Sequence, residues 1–213
     1  MNKNNQHIFF HEIKNNLANI YSMIEIIEDE PEMFTEYAPL IKSSILNVKN
    51  IEKDYETFIT TGIRGGKSQT TDVDKIIESV CNEYKGMAEE YGVLVEYNLT
   101  NIKLCIDIPK FKQVVSNLVS NAIKYNIDGG RVLVSLYYHN HKVKLEVRDT
   151  GIGITVNEIR KLGTAFFRSK RKEVPGTGLG WATIVNICDL FGWKYVINPM
   201  DVSGWKTSAA III

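Results

Sequence analysis

The first part of this chain is constrained most strongly by two stretches in which apolar side chains recur three and four residues apart. The first stretch has Phe10, Ile13, Leu17, Ile20, Met23 or Ile24, and Ile27; the second has Ile41, Ser44, Val48, Ile51, Tyr55 and Phe58. This spacing is typical of a helix that packs along one seam. Pro31, between the stretches, ends a helix. The pattern predicts one helix over ~3–29 and a second with Pro39 near its first turn.

Two seamed helices joined by a short break predict a helical hairpin. One hairpin cannot bury both of its seams, so a four-helix bundle formed by two chains is the natural completion. Packing of the seams against a second domain is the alternative that the apolar pattern leaves open.

A glycine-rich linker, Gly62–Ser68, separates this hairpin from the rest of the chain. We therefore expect two domains, 1–66 and 67–213. In the second we expect helices over 72–90, from Pro109 to about Tyr125, and over 180–191. Strands are expected over 93–97, 103–106, 131–137, 142–148, 194–198 and 205–213. The fold class is then α+β, with a mixed, mostly antiparallel sheet and helices on one face.

The composition limits the classes of partner. The 213 residues carry 25 basic and 25 acidic side chains, which does not favour nucleic acid or a membrane surface. Three separated cysteines in apolar surroundings, Cys81, Cys105 and Cys188, predict buried thiols in a reducing compartment rather than disulfides. There is no apolar run of the ~20 residues that span a bilayer, and no signal peptide. We therefore expect a soluble chain, either short at its start or shortened there.

A first candidate site lies on the rim of the first seam. His11, Glu12 and Asn15 place an imidazole, a carboxylate and a carboxamide close together on one helix. Such a group can perform proton-assisted chemistry. A surface histidine in a polar stripe is the alternative when this helix is considered alone.

The helix after Pro109 carries a second candidate site. Gln113, Asn117, Asn121 and Lys124 form one polar stripe on an otherwise apolar helix. Asparagine is a poor helix former, so two of them one turn apart suggest side chains directed at a ligand. Carboxamide oxygens suit a hard cation and the lysine suits phosphate oxygens; a solvated face is the alternative.

Two glycine-rich segments add a candidate anion site. Asp149, Gly151 and Gly153 follow a predicted strand, where glycines allow close approach of a ligand. Gly176–Gly180 immediately precedes a helix, and backbone amides at a helix start suit a polyphosphate. The segment between them, with Phe166–Arg168 and the basic run Lys170–Lys172, is expected to form a mobile lid. This is not a P-loop, because no Gly-Lys-Ser/Thr ending and no parallel βαβ pattern are present.

Five motifs in order resemble the sensor histidine kinases of two-component systems. They are the histidine segment Phe10–Leu17, the helix with Asn117 and Asn121, Asp149–Gly153, Phe166–Arg168 and Gly176–Gly180. The resemblance covers nearly the whole chain. Residues ~1–61 resemble the dimerisation and phosphotransfer hairpin, and ~70–213 resemble the GHKL-type ATP-binding domain.

The resemblance implies an ATP-dependent protein histidine kinase that uses ATP and Mg²⁺. By resemblance Asp149 contacts the adenine amino group, Asn121 binds Mg²⁺ with Asn117 beside it, and Lys124 and Arg168 contact phosphates. The implied nucleotide-binding residues are Asn117, Asn121, Lys124, Tyr125, Asp149, Gly151, Gly153, Arg168, Gly176, Thr177, Gly178, Leu179 and Gly180.

The resemblance also implies the reaction and the partners. His11 would accept the phosphoryl group, with Glu12 fixing its tautomer, and pass it to an aspartate of a response-regulator receiver domain. Asn15 matches the position of a residue that orients water for dephosphorylation of the regulator. The chain would be a cytoplasmic homodimer with no membrane contact of its own, while a full-length protein has room for a membrane anchor upstream.

Two positions depart from the family pattern. Asn16 stands where many relatives have the proline that bends the helix, which predicts a weaker bend, and Trp181 stands where a small aliphatic residue is usual. Two alternative functions remain at this point. One is a phosphotransfer or scaffold protein with a non-catalytic nucleotide domain, and the other is a GHKL-type ATPase.

Overall fold

We describe the fold from a computed structural model, which covers residues 3–61, 66–168 and 176–213. Two long helices come first, α1 (Lys3–Asp29) and α2 (Phe34–Thr61), joined through a 3-10 turn over Pro31–Met33. The predicted hairpin is therefore confirmed. The ring of Phe9 on α1 stacks on Tyr55 of α2, with centroids 4.0 Å apart.

Pro39 lies inside α2 rather than in its first turn, because the helix already begins at Phe34. Proline at position 39 removes one helical hydrogen bond, the one to the carbonyl of residue 35. The loss is small because it falls next to the first four amides of the helix, which have no helical partner in any case. The linker residues 62–65 lie outside the described residues, and the domain boundary at 66/67 stays a prediction.

The second part of the chain contains the predicted mixture of strands and helices. The strands are β1 (Gln69–Asp72), β2 (Leu94–Leu99), β3 (Lys103–Ile106), β4 (Arg131–His139), β5 (Lys142–Asp149), β6 (Lys194–Val202) and β7 (Trp205–Ile212). The helices are α3 (Val73–Glu83), α4 (Lys85–Glu90), α5 (Ile108–Lys124), α6 (Val156–Ile159) and α7 (Gly180–Phe191).

Two details differ from the prediction for this part. The single helix expected over 72–90 is divided at Tyr84, whose backbone (φ −92°, ψ 2°) is outside the helical region. Strand β1 was not predicted, because its four residues Gln69–Asp72 carry no apolar alternation and depend on pairing with β3. The expected lid with Lys170–Lys172 falls in residues 169–175, outside the described residues.

The main sheet has the order β2-β4-β5-β7-β6. Strand β2 runs parallel to β4, and the other neighbours are antiparallel. This arrangement confirms a mixed, mostly antiparallel sheet. It places the end of β5 beside the start of β7, with Asp149 opposite Thr207.

The helices cover one face of this sheet. Alternate residues of the central strands, Val134 and Leu145 among them, are fully buried against the apolar side of α5, which includes Val115 and Val119. Burial of each such side chain contributes about 1.5–3 kcal/mol. Because these side chains occupy one side of α5, the polar stripe of that helix is directed away from the sheet core.

The opposite face of the sheet is held by polar contacts. Glu146 accepts hydrogen bonds from Ser208 Oγ at 2.8 Å, Lys144 Nζ at 3.1 Å and Arg148 at 2.7 Å. Burial raises the pKa of Glu146, but these three contacts outweigh it and lower the pKa to about 2. The carboxylate is therefore ionised at neutral pH. Because the side chains on this face are polar and bonded to one another, the face can contact solvent without a helix to cover it.

The cysteines follow the sequence expectation in part. Cys81 and Cys188 are buried free thiols, and burial raises the pKa of each, to about 11 and about 12. Cys105 is exposed, contrary to expectation, because it points outward from the two-stranded sheet. Within the described residues no helix is both long and apolar enough to cross a membrane.

Candidate functional site

A cavity of about 290 Å³ opens between α5, the loop after β5 and the start of α7. This volume is close to the lower end of the roughly 300–1,000 Å³ that is typical of ligand pockets. It collects most of the predicted nucleotide-binding residues: Asn117, Asn121, Lys124, Tyr125, Asp149, Gly153, Gly176, Thr177, Gly178 and Gly180. The tertiary structure thus brings together three motifs that are far apart in the sequence.

The two asparagines of α5 face the start of α7 across this cavity. Asp107 caps α5 by accepting a hydrogen bond from the Lys110 amide at 3.1 Å. A Cβ atom at Gly180 would lie 3.3 Å from Asn117 Oδ1 and 3.6 Å from Asn121 Nδ2. Glycine at position 180 therefore leaves room for both carboxamides beside the first amides of α7.

Asp149 also lines the cavity, at the last residue of β5. Its carboxylate accepts a hydrogen bond from the Gly151 amide at 3.0 Å and one from the Thr207 side chain. Burial, which leaves Asp149 only 8% exposed, raises its pKa to about 6, although both hydrogen bonds act to lower it. Thr207 reaches Asp149 because β5 and β7 are neighbours.

Gly151 lies behind the cavity rather than on its surface. A Cβ atom there would lie 2.2 Å from the Tyr125 carbonyl oxygen. The next amide, that of Ile152, donates to the same oxygen at 3.0 Å. Gly151 therefore allows the loop after β5 to pack against the end of α5, which holds Asp149 and Tyr125 on the same side.

The loop at Gly176–Gly180 is packed just as closely. Gly178 has φ +73°, and a Cβ atom there would lie 2.7 Å from the carbonyl carbon of Phe166. Leu179 is buried with Ala165 rather than exposed in the cavity. Arg168 is half-buried, and its charge acts on Tyr125, where burial raises the phenol pKa and the guanidinium partly opposes that rise.

The predicted residues on the hairpin lie away from this cavity. His11 and Asn15 are exposed on α1, and Asn15 Nδ2 lies 3.1 Å from His11 Nδ1. Glu12 is half-buried beside them, and its backbone carbonyl accepts a hydrogen bond from the Asn16 side chain at 2.9 Å. None of His11, Glu12 and Asn15 lines the cavity. Asn16 thus bonds within the helix where many relatives have proline.

Comparison with known proteins shows what this arrangement is similar to. Residues 106–209 match the family described as histidine kinase-, DNA gyrase B-, and HSP90-like ATPase. Sporulation kinase A of Bacillus subtilis (strain 168) is 26% identical over 181 residues, which are 84% of this chain and 29% of that protein. The chain thus resembles sensor histidine kinases over most of its length, and its second part resembles their ATP-binding domain.

Solved structures of histidine kinases share the fold. The Acinetobacter baumannii histidine kinase AdeS is 20% identical, with a TM-score of 0.72 over 95% of this chain and 96% of that one. The histidine kinase ThkA, solved in complex with the response regulator protein TrrA, is 20% identical with a TM-score of 0.76. That match covers 95% of this chain and 58% of that one. The hairpin followed by the mixed domain is thus the arrangement of known histidine kinases.

The cavity also contains residues that sequence analysis missed. Asp54, Tyr84 and Thr207 line it, and so does Trp181, one of the two departures from the family pattern. Thr207 is identifiable only once the pairing of β5 with β7 is known. Asp54 belongs to α2, and no local pattern distinguishes it from the other acidic residues of that helix.

The described residues do not include a cluster of three or more His, Cys, Asp or Glu side chains that could hold a metal ion. Oxygen donors that suit a hard cation do line the cavity: the carboxamides of Asn117 and Asn121, together with the carboxylates of Asp54, Asp149 and Glu158. Such a donor set fits Mg²⁺ that is bound together with a nucleotide, because that ion takes most of its other ligands from phosphates and water.

Proposed function

We propose that this chain is a protein histidine kinase that transfers the γ-phosphoryl group of ATP to His11 and then to an aspartate of a response-regulator receiver domain. The supporting observation is one cavity that combines the α5 carboxamides, Lys124 and a glycine loop at a helix start, in a chain with an exposed histidine on a hairpin helix. A scaffold needs no such cavity, and an ATPase needs no such histidine.

The cavity orients the nucleotide along its length. Asp149, at one end, accepts a hydrogen bond from the adenine amino group, and Tyr125 lines the pocket. Lys124 and Arg168 contact the phosphates. The phosphate oxygens also accept hydrogen bonds from the backbone amides around Gly178, just before α7. The proposal is supported by one cavity whose lining combines a buried carboxylate with carboxamides and a glycine loop.

Asn121 holds the metal ion, with Asn117 beside it. Mg²⁺, when bound, offsets the negative charge on the leaving diphosphate. The chain supplies one or two carboxamide oxygens, and the nucleotide supplies phosphate oxygens. This division of ligands is consistent with the absence of a carboxylate cluster from the described residues.

His11 is the nucleophile. Its Nε2 attacks the γ-phosphorus in line, the bond from that phosphorus to the bridging oxygen breaks, and ADP leaves. This requires the imidazole proton to reside on Nδ1, next to Asn15. The carboxylate of Glu12 accepts that hydrogen bond and fixes the tautomer. Because His11 does not line the cavity, the two domains must move relative to each other before transfer.

The exposed apolar residues of the hairpin support a homodimer. Phe10 is 64% exposed, Leu17 52% and Tyr21 64%, although all three lie on or beside the predicted seam. A second hairpin would cover them in a four-helix bundle. A receiver domain is the partner, as a response regulator is in the ThkA complex, and it docks on the hairpin near His11 so that its aspartate reaches the phosphoryl group. We place the chain in the cytoplasm, as domains 1–66 for dimerisation and phosphotransfer and 67–213 for ATP binding.

A second activity of the same site is removal of the phosphoryl group from the regulator, with Asn15 orienting the attacking water. We expect Asn15→Ala to slow regulator dephosphorylation about a hundredfold, the cost of misplacing a reactant, while autophosphorylation persists. The measurement is the decay of phosphorylated regulator after ATP is removed. Asn19→Ala, an exposed asparagine on the same helix, is the matched control. Unchanged decay in Asn15→Ala would contradict the assignment.

The raised pKa of Asp149 predicts that nucleotide affinity depends on pH. Adenine recognition needs the ionised carboxylate as acceptor, and protonation around pH 6 removes it. Lowering the pH from about 7 to about 5 should therefore weaken ADP binding roughly tenfold. Titration calorimetry across this range measures the effect. Asp149→Asn keeps an oxygen acceptor but does not titrate, so its ADP affinity should vary much less; equal pH dependence in both proteins would contradict the role.

Incubation with ATP labelled on the γ-phosphate tests the proposed function and separates its alternatives. A histidine kinase yields label on the protein that is stable in base and lost in acid. Release of phosphate without labelled protein would indicate a GHKL-type ATPase. Absence of nucleotide binding would indicate a phosphotransfer or scaffold protein.

A further inference from the structure

The second helix of the hairpin reaches into the nucleotide cavity. Asp54, near the end of α2, lines the cavity together with the glycine loop. Its Oδ2 accepts a hydrogen bond from Thr177 Oγ1 at 2.7 Å. Thr177 Oγ1 also accepts a hydrogen bond from the Leu179 amide at 3.4 Å. Asp54 is thereby tied, through one side chain, to the loop proposed to hold phosphates.

An apolar contact lies directly beside this hydrogen bond. Tyr55 and Phe58 of α2 pack against the cluster of Ala165, Leu179 and Ala182. The ring of Phe166 lies 6.2 Å from that of Tyr55, centroid to centroid. We call these residues, with Asp54 and Thr177, the interdomain contact. It joins the hairpin to the very segment that borders the proposed triphosphate site.

Phe166, at the interdomain contact, has an unusual backbone conformation. Phe166 has φ +63°, a left-handed conformation that is uncommon for a bulky side chain and costs energy. Gly178 packs on its backbone without room for a Cβ atom. The close packing of these two residues orients the Phe166 ring toward α2, so the interdomain contact and the shape of the glycine loop depend on each other.

In this arrangement the hairpin presents a carboxylate, and not His11, to the cavity. The negative charge of Asp54 lies next to the loop where the last phosphates of a nucleotide would bind. Tyr84 lines the same cavity; burial raises its pKa, and the charges of Glu83 and Asp54 add to that rise. ATP carries one more negative charge than ADP with the same metal ion.

We propose, on the basis of the proposed function, that Asp54 is a specificity-determining residue of the nucleotide cavity that disfavours a nucleoside triphosphate relative to a diphosphate while the interdomain contact is formed. The reason is the repulsion between the carboxylate and the additional phosphate. Because coupling is reciprocal, a triphosphate that binds weakens the interdomain contact to the same degree. ATP thus shifts the equilibrium toward release of the nucleotide domain from α2, and the ADP left after transfer shifts it back.

The test compares two nucleotides in a variant that keeps the hydrogen bond. Asp54→Asn retains an oxygen acceptor for Thr177 and removes only the charge. Affinities for ATP and ADP in the presence of Mg²⁺ are measured by calorimetry in a His11→Ala background, which prevents turnover. We expect the ratio Kd(ATP)/Kd(ADP) to fall about three- to tenfold, the effect of one partly screened charge pair. Raising the salt concentration to about 1 M should remove most of this difference.

Glu52→Gln is the matched control. Glu52 is an exposed acidic residue of the same helix that does not line the cavity, so the ratio should stay at its original value in this variant. An unchanged ratio in Asp54→Asn would overturn the inference while leaving ATP binding intact. A raised ratio would also overturn it, because Asp54 would then be helping to hold the metal–triphosphate complex. Failure of both nucleotides to bind would overturn the proposed function as well.

A second measurement addresses the release of α2 directly. Amide hydrogen exchange over residues 51–58 should be faster with ATP than with ADP at saturating concentrations of each, because exchange reports local opening. In Asp54→Asn the two nucleotides should give the same exchange. Equal exchange with both nucleotides in the unsubstituted α2 would contradict the proposed release.

Discussion

His11→Ala should lose at least about a thousandfold of the label that the protein takes from γ-labelled ATP, because the nucleophile of a group transfer has no substitute within reach. Nucleotide binding should persist, since His11 does not line the cavity. The measurement is acid-labile, base-stable label on the protein, with nucleotide affinity determined separately on the same preparation. Loss of label with retained affinity would assign the phosphoacceptor without reference to folding.

The chain offers a matched control one turn earlier on the same helix. His7 is an exposed histidine of α1, and His7→Ala should retain full labelling. Label that survives in His11→Ala, or that disappears in His7→Ala, would contradict the assignment. Label absent from the unsubstituted protein, together with released phosphate, would favour the ATPase instead.

Asn121→Ala should reduce autophosphorylation about a hundredfold or more, because the cation loses its carboxamide ligand. The loss should appear as a shift in the Mg²⁺ dependence, measured by titrating the metal at fixed ATP. The substitution should not lower the thermal stability, because Asn121 is only half-buried in the cavity wall and alanine is the better helix former. A circular dichroism melting curve checks this point.

Two further variants sharpen the interpretation of Asn121. Asn121→Asp retains an oxygen ligand and should restore much of the Mg²⁺-dependent activity that alanine loses. Asn82→Ala, an exposed helical asparagine outside the cavity, should leave activity unchanged. Full activity of Asn121→Ala at low Mg²⁺ would rule out a role as metal ligand.

Much of the architecture follows from local patterns in the chain. The apolar seams predicted α1 and α2, and alternation predicted β5, because helix and strand periodicities are set by neighbouring residues. The stripe of Asn117 and Asn121 was visible for the same reason, since residues four apart share a helix face. These features needed no knowledge of the rest of the fold.

Features that depend on pairing between distant segments were not predictable in this way. Strand β1 exists through its pairing with β3, and the helix expected over 72–90 is divided at Tyr84 by a backbone conformation with no sequence signal. The partnership of Thr207 with Asp149 depends on the order of strands in the sheet. Contacts of this kind are set by the packing of whole elements.

The sequence by itself determined the helical hairpin, the α+β class of the second domain and a set of motifs that resembles one family. Only the tertiary structure decided that these motifs line one cavity, that His11 lies outside it, and that Asp54 lies within it against Thr177. The physical reason is the distance along the chain over which each kind of feature is set. Periodicity and glycine spacing are properties of adjacent residues, whereas a hydrogen bond between residues 123 positions apart depends on how the hairpin and the nucleotide domain pack together.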